Sequence, residues 1–141
     1  MLGRPCLNAR PSSRVATTTP IGGCWVVHKP ASASQASTVT GAAVNLSGYD
    51  TPIVIVQSHG TGTGTLDGKI QDSADGSTGW ADVTGATFSQ STTTADVKIL
   101  SLDPKSTKGY IRYVGTIAGT TPSFTMGVVL LGQKSASKAQ G

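Results

Sequence analysis

The chain contains no glutamate, and charged residues make up only 13% of its 141 positions. Carboxylate chemistry therefore rests on seven aspartates. There are two histidines, His28 and His59, and two cysteines, Cys6 and Cys24. Two cysteines without a matching histidine pair do not make a zinc site. Both lie in the N-terminal segment and read as free thiols of a chain made in a reducing cytoplasm. No window approaches the ~20 consecutive apolar residues of a membrane-spanning helix. The N-terminus has no apolar stretch of the kind a secretory signal carries, so none is expected. Strong helix formers other than Ala are scarce, which leaves little material for long helices.

What is abundant is Thr, Ser and Gly, with Val and Ile in short runs. That composition suits strands joined by tight turns. The charge is uneven. Residues 1–49 carry Arg4, Arg10, Arg14 and Lys29 and no acid, whereas residues 50–132 hold all seven aspartates against five basic residues. Lys134 and Lys138 follow. A slightly acidic body with basic ends favours an acidic partner surface or nucleic acid. Four charges spread over the arm are too sparse for a nucleic-acid footprint, so no nucleic-acid partner is expected.

Residues 1–36 read as an extended arm. The stretch is rich in Pro, Ser and Thr and shows no period of a helix or strand. Within it, "CWVVHK" (24–29) is a short strand or a docking anchor, and "PASASQAS" (30–37) a flexible linker. From residue 38 apolar residues recur regularly. "TVTGAAVNLS" (38–47) reads as one strand, and "TPIVIVQS" (51–58) as a strand buried on both faces, because its β-branched run is continuous. "HGTGTGT" (59–65) reads as a loop containing His59. "LDGKIQDS" (66–73) places Leu66 and Ile70 on one face. "GWADV" (79–83) and "ATFSQ" (86–90) are two short strands, and Trp80 is expected to return the chain to the core.

"ADVKILSL" (95–102) alternates, "DPKSTKG" (103–109) is a turn started by Asp-Pro, and "YIRYVGTIAG" (110–119) is a long strand. "TPSFTMGVVLLGQ" (121–133) aligns Phe124, Met126, Val128 and Leu130, and "AGTTP" is short enough to make a hairpin with the preceding strand. The expected fold is all-β: an antiparallel sandwich or jelly roll of about eight strands over 37–134, with the arm before it and a polar tail at 135–141.

The aspartates cluster once, in "KIQDSADGSTGWADV" (69–83). An EF-hand loop starting at Asp72 fails, since Ala74 and Gly76 stand where ligands belong. A glycosidase-like carboxylate pair fails too, because nothing apolar surrounds Asp72 and Asp75 to raise either pKa. A hairpin explains the stretch better. Asp-Gly after a strand is a turn signal, and Asp75 is placed to accept amide hydrogen bonds within the turn. The sequence S-x-D-G-S-T-x-W resembles an Asp-box hairpin in which Ser77 replaces the second Gly.

"HGTGTGTLDGK" matches neither a Walker loop nor a dinucleotide fingerprint, because Thr63, Thr65 and Ile70 occupy decisive positions. Neither histidine has the partners of a catalytic base. No catalytic, cofactor or metal residue is therefore expected. Tyr110 and Arg112 share a strand face and could form a stacking patch for a sugar or a base.

The segments "QDSADGSTGWADV" and "KGYIRYVGTIAGTTPSFTMGVVLLG", in that order and separation, resemble a family of small tailed-phage virion proteins. The resemblance covers about residues 63–134. Gly79 is an insertion relative to that family's usual "DGSTW" run. The resemblance implies a structural protein of the virion, a capsid decoration or cement protein, on the capsid surface. Its implied partner is the major capsid protein and its implied assembly a homotrimer, with no enzymatic activity and no cofactor. The arm lies outside the shared region. Its expected capsid contacts are Arg4, Arg10 and Arg14 as charge partners and Trp25, Val26 and Val27 as apolar anchors. The rival expectation is a carbohydrate-binding fibre, tail or surface module using Tyr110 and Arg112.

Overall fold

A computed structural model describes residues 34–134. They form an all-β sandwich of two antiparallel sheets. The strands are β1 (Val39–Thr40), β2 (Val44–Asn45), β3 (Ile53–His59), β4 (Thr63–Ser73), β5 (Ala81–Thr87), β6 (Asp96–Leu102), β7 (Tyr110–Ser123) and β8 (Met126–Leu131). A short 3-10 turn, Pro104–Ser106, separates β6 from β7, and the Asp103 carboxylate caps it by accepting from Lys105 N at 2.9 Å.

The larger sheet has the order β1-β7-β4-β5, with β2 also on the β7 edge; the smaller has the order β6-β3-β8. The core fills the space between them. Ile53 and Ile55 of β3, Phe124 and Leu130 of the β8 limb, and Leu102 of β6 face Leu66 and Ile70 of β4 and Ile111 and Ile117 of β7. Each such side chain stabilises the sandwich by roughly 1.5–3 kcal/mol.

Several expectations change. The 38–47 segment is not one strand: β1 and β2 each pair with β7, and Gly41 between them donates from its N–H to Tyr113 O at 2.8 Å. β3 is not buried on both faces; Ile53, Ile55, Gln57 and His59 are buried, while Val54, Val56 and Ser58 are only partly covered. His59 ends that strand instead of sitting in a loop, and it packs edge-on against Phe124 with ring centroids 5.5 Å apart.

The loop between β3 and β4 shrinks to Gly60, Thr61 and Gly62. The two short strands expected over 79–90 are one, β5. "AGTTP" makes no hairpin. β7 runs through it as a bulge opposite β4, and the chain then crosses to the other sheet, where β8 pairs with β3. Gly64 and Gly119 meet at this bulge with φ of +92° and +140°, which only Gly adopts without strain.

Gln35, within the stretch read as a linker, exchanges backbone hydrogen bonds with Phe124 at 2.8 and 2.9 Å. Its neighbour Ser34 hydrogen-bonds Ser123 through the two hydroxyls.

Candidate functional site

The β4–β5 hairpin is built on Asp75. Its Oδ1 accepts from Ser77 N at 2.8 Å, Thr78 N at 2.7 Å and Ser73 Oγ at 2.9 Å, and its Oδ2 accepts from Thr78 Oγ1 at 2.6 Å. Ser73 Oγ also accepts from the Gly76 amide at 3.1 Å. The Thr78 hydroxyl, followed by the Thr78 and Ser77 amides and the Ser73 hydroxyl, holds the Asp75 carboxyl far below the usual range. A carboxylate with its acceptor sites so filled is a turn staple, in keeping with the hairpin reading. Gly76 adopts φ +74°, and its missing Cβ makes room for the Tyr110 ring, which a methyl would approach to 2.6 Å.

Asp72 and Asp82 do not join Asp75. Asp72 is buried and pairs with Lys108, Oδ1 to Nζ at 3.1 Å. Asp82 pairs with Lys69 at 2.8 Å and accepts from Gln71 Nε2 at 2.7 Å. Three neighbours in sequence thus serve three separate partner sets. Among the described residues, no group of three or more His, Cys or acidic side chains converges on a common point.

Trp80 does not return to the core. Trp80 is half-buried and lies against Arg112, whose guanidinium carbon is 4.3 Å from its ring centroid. The same guanidinium donates from Nε and Nη2 to Gln71 Oε1, at 3.0 and 2.8 Å. A polar ladder therefore crosses three strands of the larger sheet: Arg112, Gln71, Asp82, Lys69. Tyr110 covers the hairpin turn, and its hydroxyl accepts from Asn45 Nδ2 at 3.2 Å. Tyr110 and Arg112 do share a face, but each is engaged with the hairpin. Beside Tyr110 an open groove of about 390 Å³ is bordered by Asn45, Leu46, Tyr49 and Lys105.

The outer face of the smaller sheet is of another kind. The register sets Val56 between Ile99 and Val129, Val54 between Ser101 and Leu131, and Ser58 between Val97 and Gly127. Side chains alternate across a strand, so these nine residues form one uncharged patch. Val97 is 61% and Ile99 70% exposed, unusual for large apolar side chains grouped with four others. No protein-family model and no curated protein matches this chain. The chemistry of these surfaces therefore has to carry the functional reading.

Sequence reasoning did not single out this patch. Its signal was present in the continuous run "IVIV", which β-branched residues on both faces produce whether or not both faces are buried. Sequence reasoning also passed over Gln57. Gln57 is fully buried between the sheets, with Oε1 accepting from Tyr113 Oη at 2.7 Å and Nε2 near Ser91 Oγ at 3.4 Å. Arg4, Arg10, Arg14, Trp25, Val26 and Val27 lie outside the described residues.

Proposed function

We propose that the protein is a non-enzymatic virion structural protein, a capsid decoration (cement) protein that binds the outer surface of the major capsid protein shell and stabilises it. The observation that carries this reading is the uncharged outer face of the β6-β3-β8 sheet. Six apolar side chains from three strands stand there together, with Val97 and Ile99 largely open. Covering such a face with protein is favourable by roughly 25 cal/mol per Å² of apolar area. A sandwich that offers an apolar face on one sheet, and a polar ladder on the other, is suited to assembly.

The likeness of residues 63–134 to small tailed-phage virion proteins points to the capsid as the assembly and to a homotrimer as the bound form. Arg4, Arg10 and Arg14 would pair with acidic groups of the shell, and Trp25, Val26 and Val27 would anchor the arm. Many copies, each held at several points, stabilise a shell by mass action and avidity. The saturated Asp75 and the dispersed Asp72 and Asp82 support a structural over a catalytic role for the hairpin. Co-sedimentation with undecorated heads tests the reading. A bound copy number that scales with the number of capsid subunits is the expected result, and no binding at any concentration would refute it.

A second reading, a carbohydrate-binding fibre, tail or surface module, is favoured by one observation: the open groove beside Tyr110. Arg112 is turned to Trp80, so a sugar there would meet Tyr110, Asn45 and Lys105 instead. A glycan array separates the two readings.

A further inference from the structure

The open groove beside Tyr110 has a one-sided hydrogen-bonding inventory. Several acceptors of its lining residues are already in use. Leu46 O accepts from Tyr49 N at 3.0 Å, Gly109 O from Leu46 N at 2.8 Å, and Pro104 O from Thr107 Oγ1 at 2.8 Å. Asn45 Oδ1 accepts from Ser47 N at 2.8 Å. The donors are not in use. Among the described residues, Lys105 Nζ, Ser47 Oγ and Tyr49 Oη have no hydrogen-bond partner, and Tyr110 Oη accepts from Asn45 but donates to nothing. No described carboxylate lines the groove, whereas Lys105 does. Asp103, next to Pro104, is engaged with the Lys105 amide. Lys134 Nζ adds positive charge 5.6 Å from the Tyr49 ring centroid.

Tyr49 is the informative member of this set. It is only 4% exposed, and a polar group buried without a partner is uncommon. Burial pushes its phenol up to about 12, so at neutral pH it keeps a proton to donate. A ligand that satisfies this lining has to bring acceptors and negative charge.

We propose that the groove is a subsite for a carboxylate-bearing sugar ring, a hexuronate. The carboxylate supplies the acceptor that Tyr49 Oη and Lys105 Nζ lack, and the ring hydroxyls meet Ser47 and Tyr110. Leu46, Pro104 and the tyrosine rings provide apolar walls for the faces of the ring. The groove volume, about 390 Å³, lies within the roughly 300–1,000 Å³ of small-molecule sites. A docked protein segment needs a far wider surface, about 800 Å² per partner, which favours a sugar over an acidic loop. The inference rests on the carbohydrate reading, whose ligand it names, and is independent of the capsid reading.

NMR titration of the full chain with D-glucuronate at constant ionic strength is the test. D-glucose is the uncharged counterpart, and acetate is the carboxylate alone. The Ser47, Tyr49, Lys105 and Tyr110 amides should shift saturably with glucuronate, and the other two should bind about tenfold more weakly or worse. Lys105→Ala keeps the backbone amide that Asp103 holds and should weaken glucuronate by about tenfold. Tyr49→Phe should weaken it too, yet leave the urea midpoint unchanged or higher, because the hydroxyl it removes has no partner in the folded chain. That pairing of readouts separates a ligand contact from a structural role. Unchanged glucuronate affinity in both variants would overturn the proposal, as would acetate binding as tightly as glucuronate. Equal binding of glucose and glucuronate would overturn it and leave the carbohydrate reading standing. No saturable shift with either sugar would overturn it, and a glycan array without hits would then remove the carbohydrate reading as well.

Discussion

The hydroxyl of Tyr113 donates to the side-chain carbonyl of Gln57 at 2.7 Å in the space between the two sheets, with both residues buried. Room for this pair comes from Gly68 and Gly115, directly opposed on β4 and β7. A Cβ on Gly68 would stand 2.0 Å from Gln57 Oε1, and one on Gly115 2.7 Å from Tyr113 Oη. Burial pushes the Tyr113 phenol well above the usual tyrosine range, so it keeps its proton, and its role as donor, at neutral pH.

Tyr113→Phe should therefore destabilise the body by about 1–3 kcal/mol, the cost of leaving a buried acceptor unpaired. Gly68→Ala should destabilise it by a similar ~1–3 kcal/mol through overpacking. Urea unfolding midpoints check both. Unchanged midpoints would mean that the pair forms no part of the core's stability.

The Asp75 staple predicts a pH dependence of definite sign. Its folded pKa is depressed by hydrogen bonds to the ionised form. The stabilisation it provides is thus complete above the ordinary aspartate value of about 3.9. It is lost as pH falls below that value toward the folded pKa. NMR titration of the Asp75 carboxyl should show it still ionised when ordinary aspartates have protonated. Asp75→Ala should speed amide exchange at Ser77 and Thr78 selectively. An Asp75 that titrates near 3.9 contradicts the account of the turn.

Arg112 and Trp80 should be coupled. The guanidinium lies over the ring at a partly exposed site, where such contacts are worth about 0.5–1 kcal/mol. A double-mutant cycle with Arg112→Ala and Trp80→Ala should return a coupling of that size. Arg112→Lys should recover little of it, since Lys cannot reproduce the planar stack or the forked donation to Gln71. Strictly additive losses would show the stacking to be incidental.

Much of this was legible in the chain, and the failures share a physical cause. Alternation placed Leu66 and Ile70 inside, because Asp67, Lys69 and Gln71 marked the opposite face; Phe124, Met126 and Leu130 also share a face, although Val129 and Leu131 on the other side are apolar as well. The Asp-Gly signal located the β4–β5 hairpin. Where both faces of a strand are apolar, periodicity has no sign to read. So "IVIV" looked doubly buried, although Val54 and Val56 belong to an open face. Trp80 was expected to return the chain to the core, but Arg112, on β7 two strands across the sheet from β5, gave its ring an outer partner. His59 looked like a loop residue because glycines follow it. Its burial depends on Phe124, which is distant in sequence and invisible to local pattern. The "AGTTP" bulge likewise depends on how Gly64 and Gly119 meet across β4 and β7.

The central claim is that the apolar face of the β6-β3-β8 sheet docks on a capsid shell. The most direct measurement compares the wild-type chain with Ile99→Asp in co-sedimentation with undecorated heads. Ile99 is 70% exposed, so the substitution should leave the body folded. The wild-type chain should bind in proportion to the capsid subunits. The variant should bind about a hundredfold more weakly or worse, because an uncompensated buried charge costs ~3 kcal/mol or more. Equal binding by the two chains, or no binding by the wild type, would contradict the account.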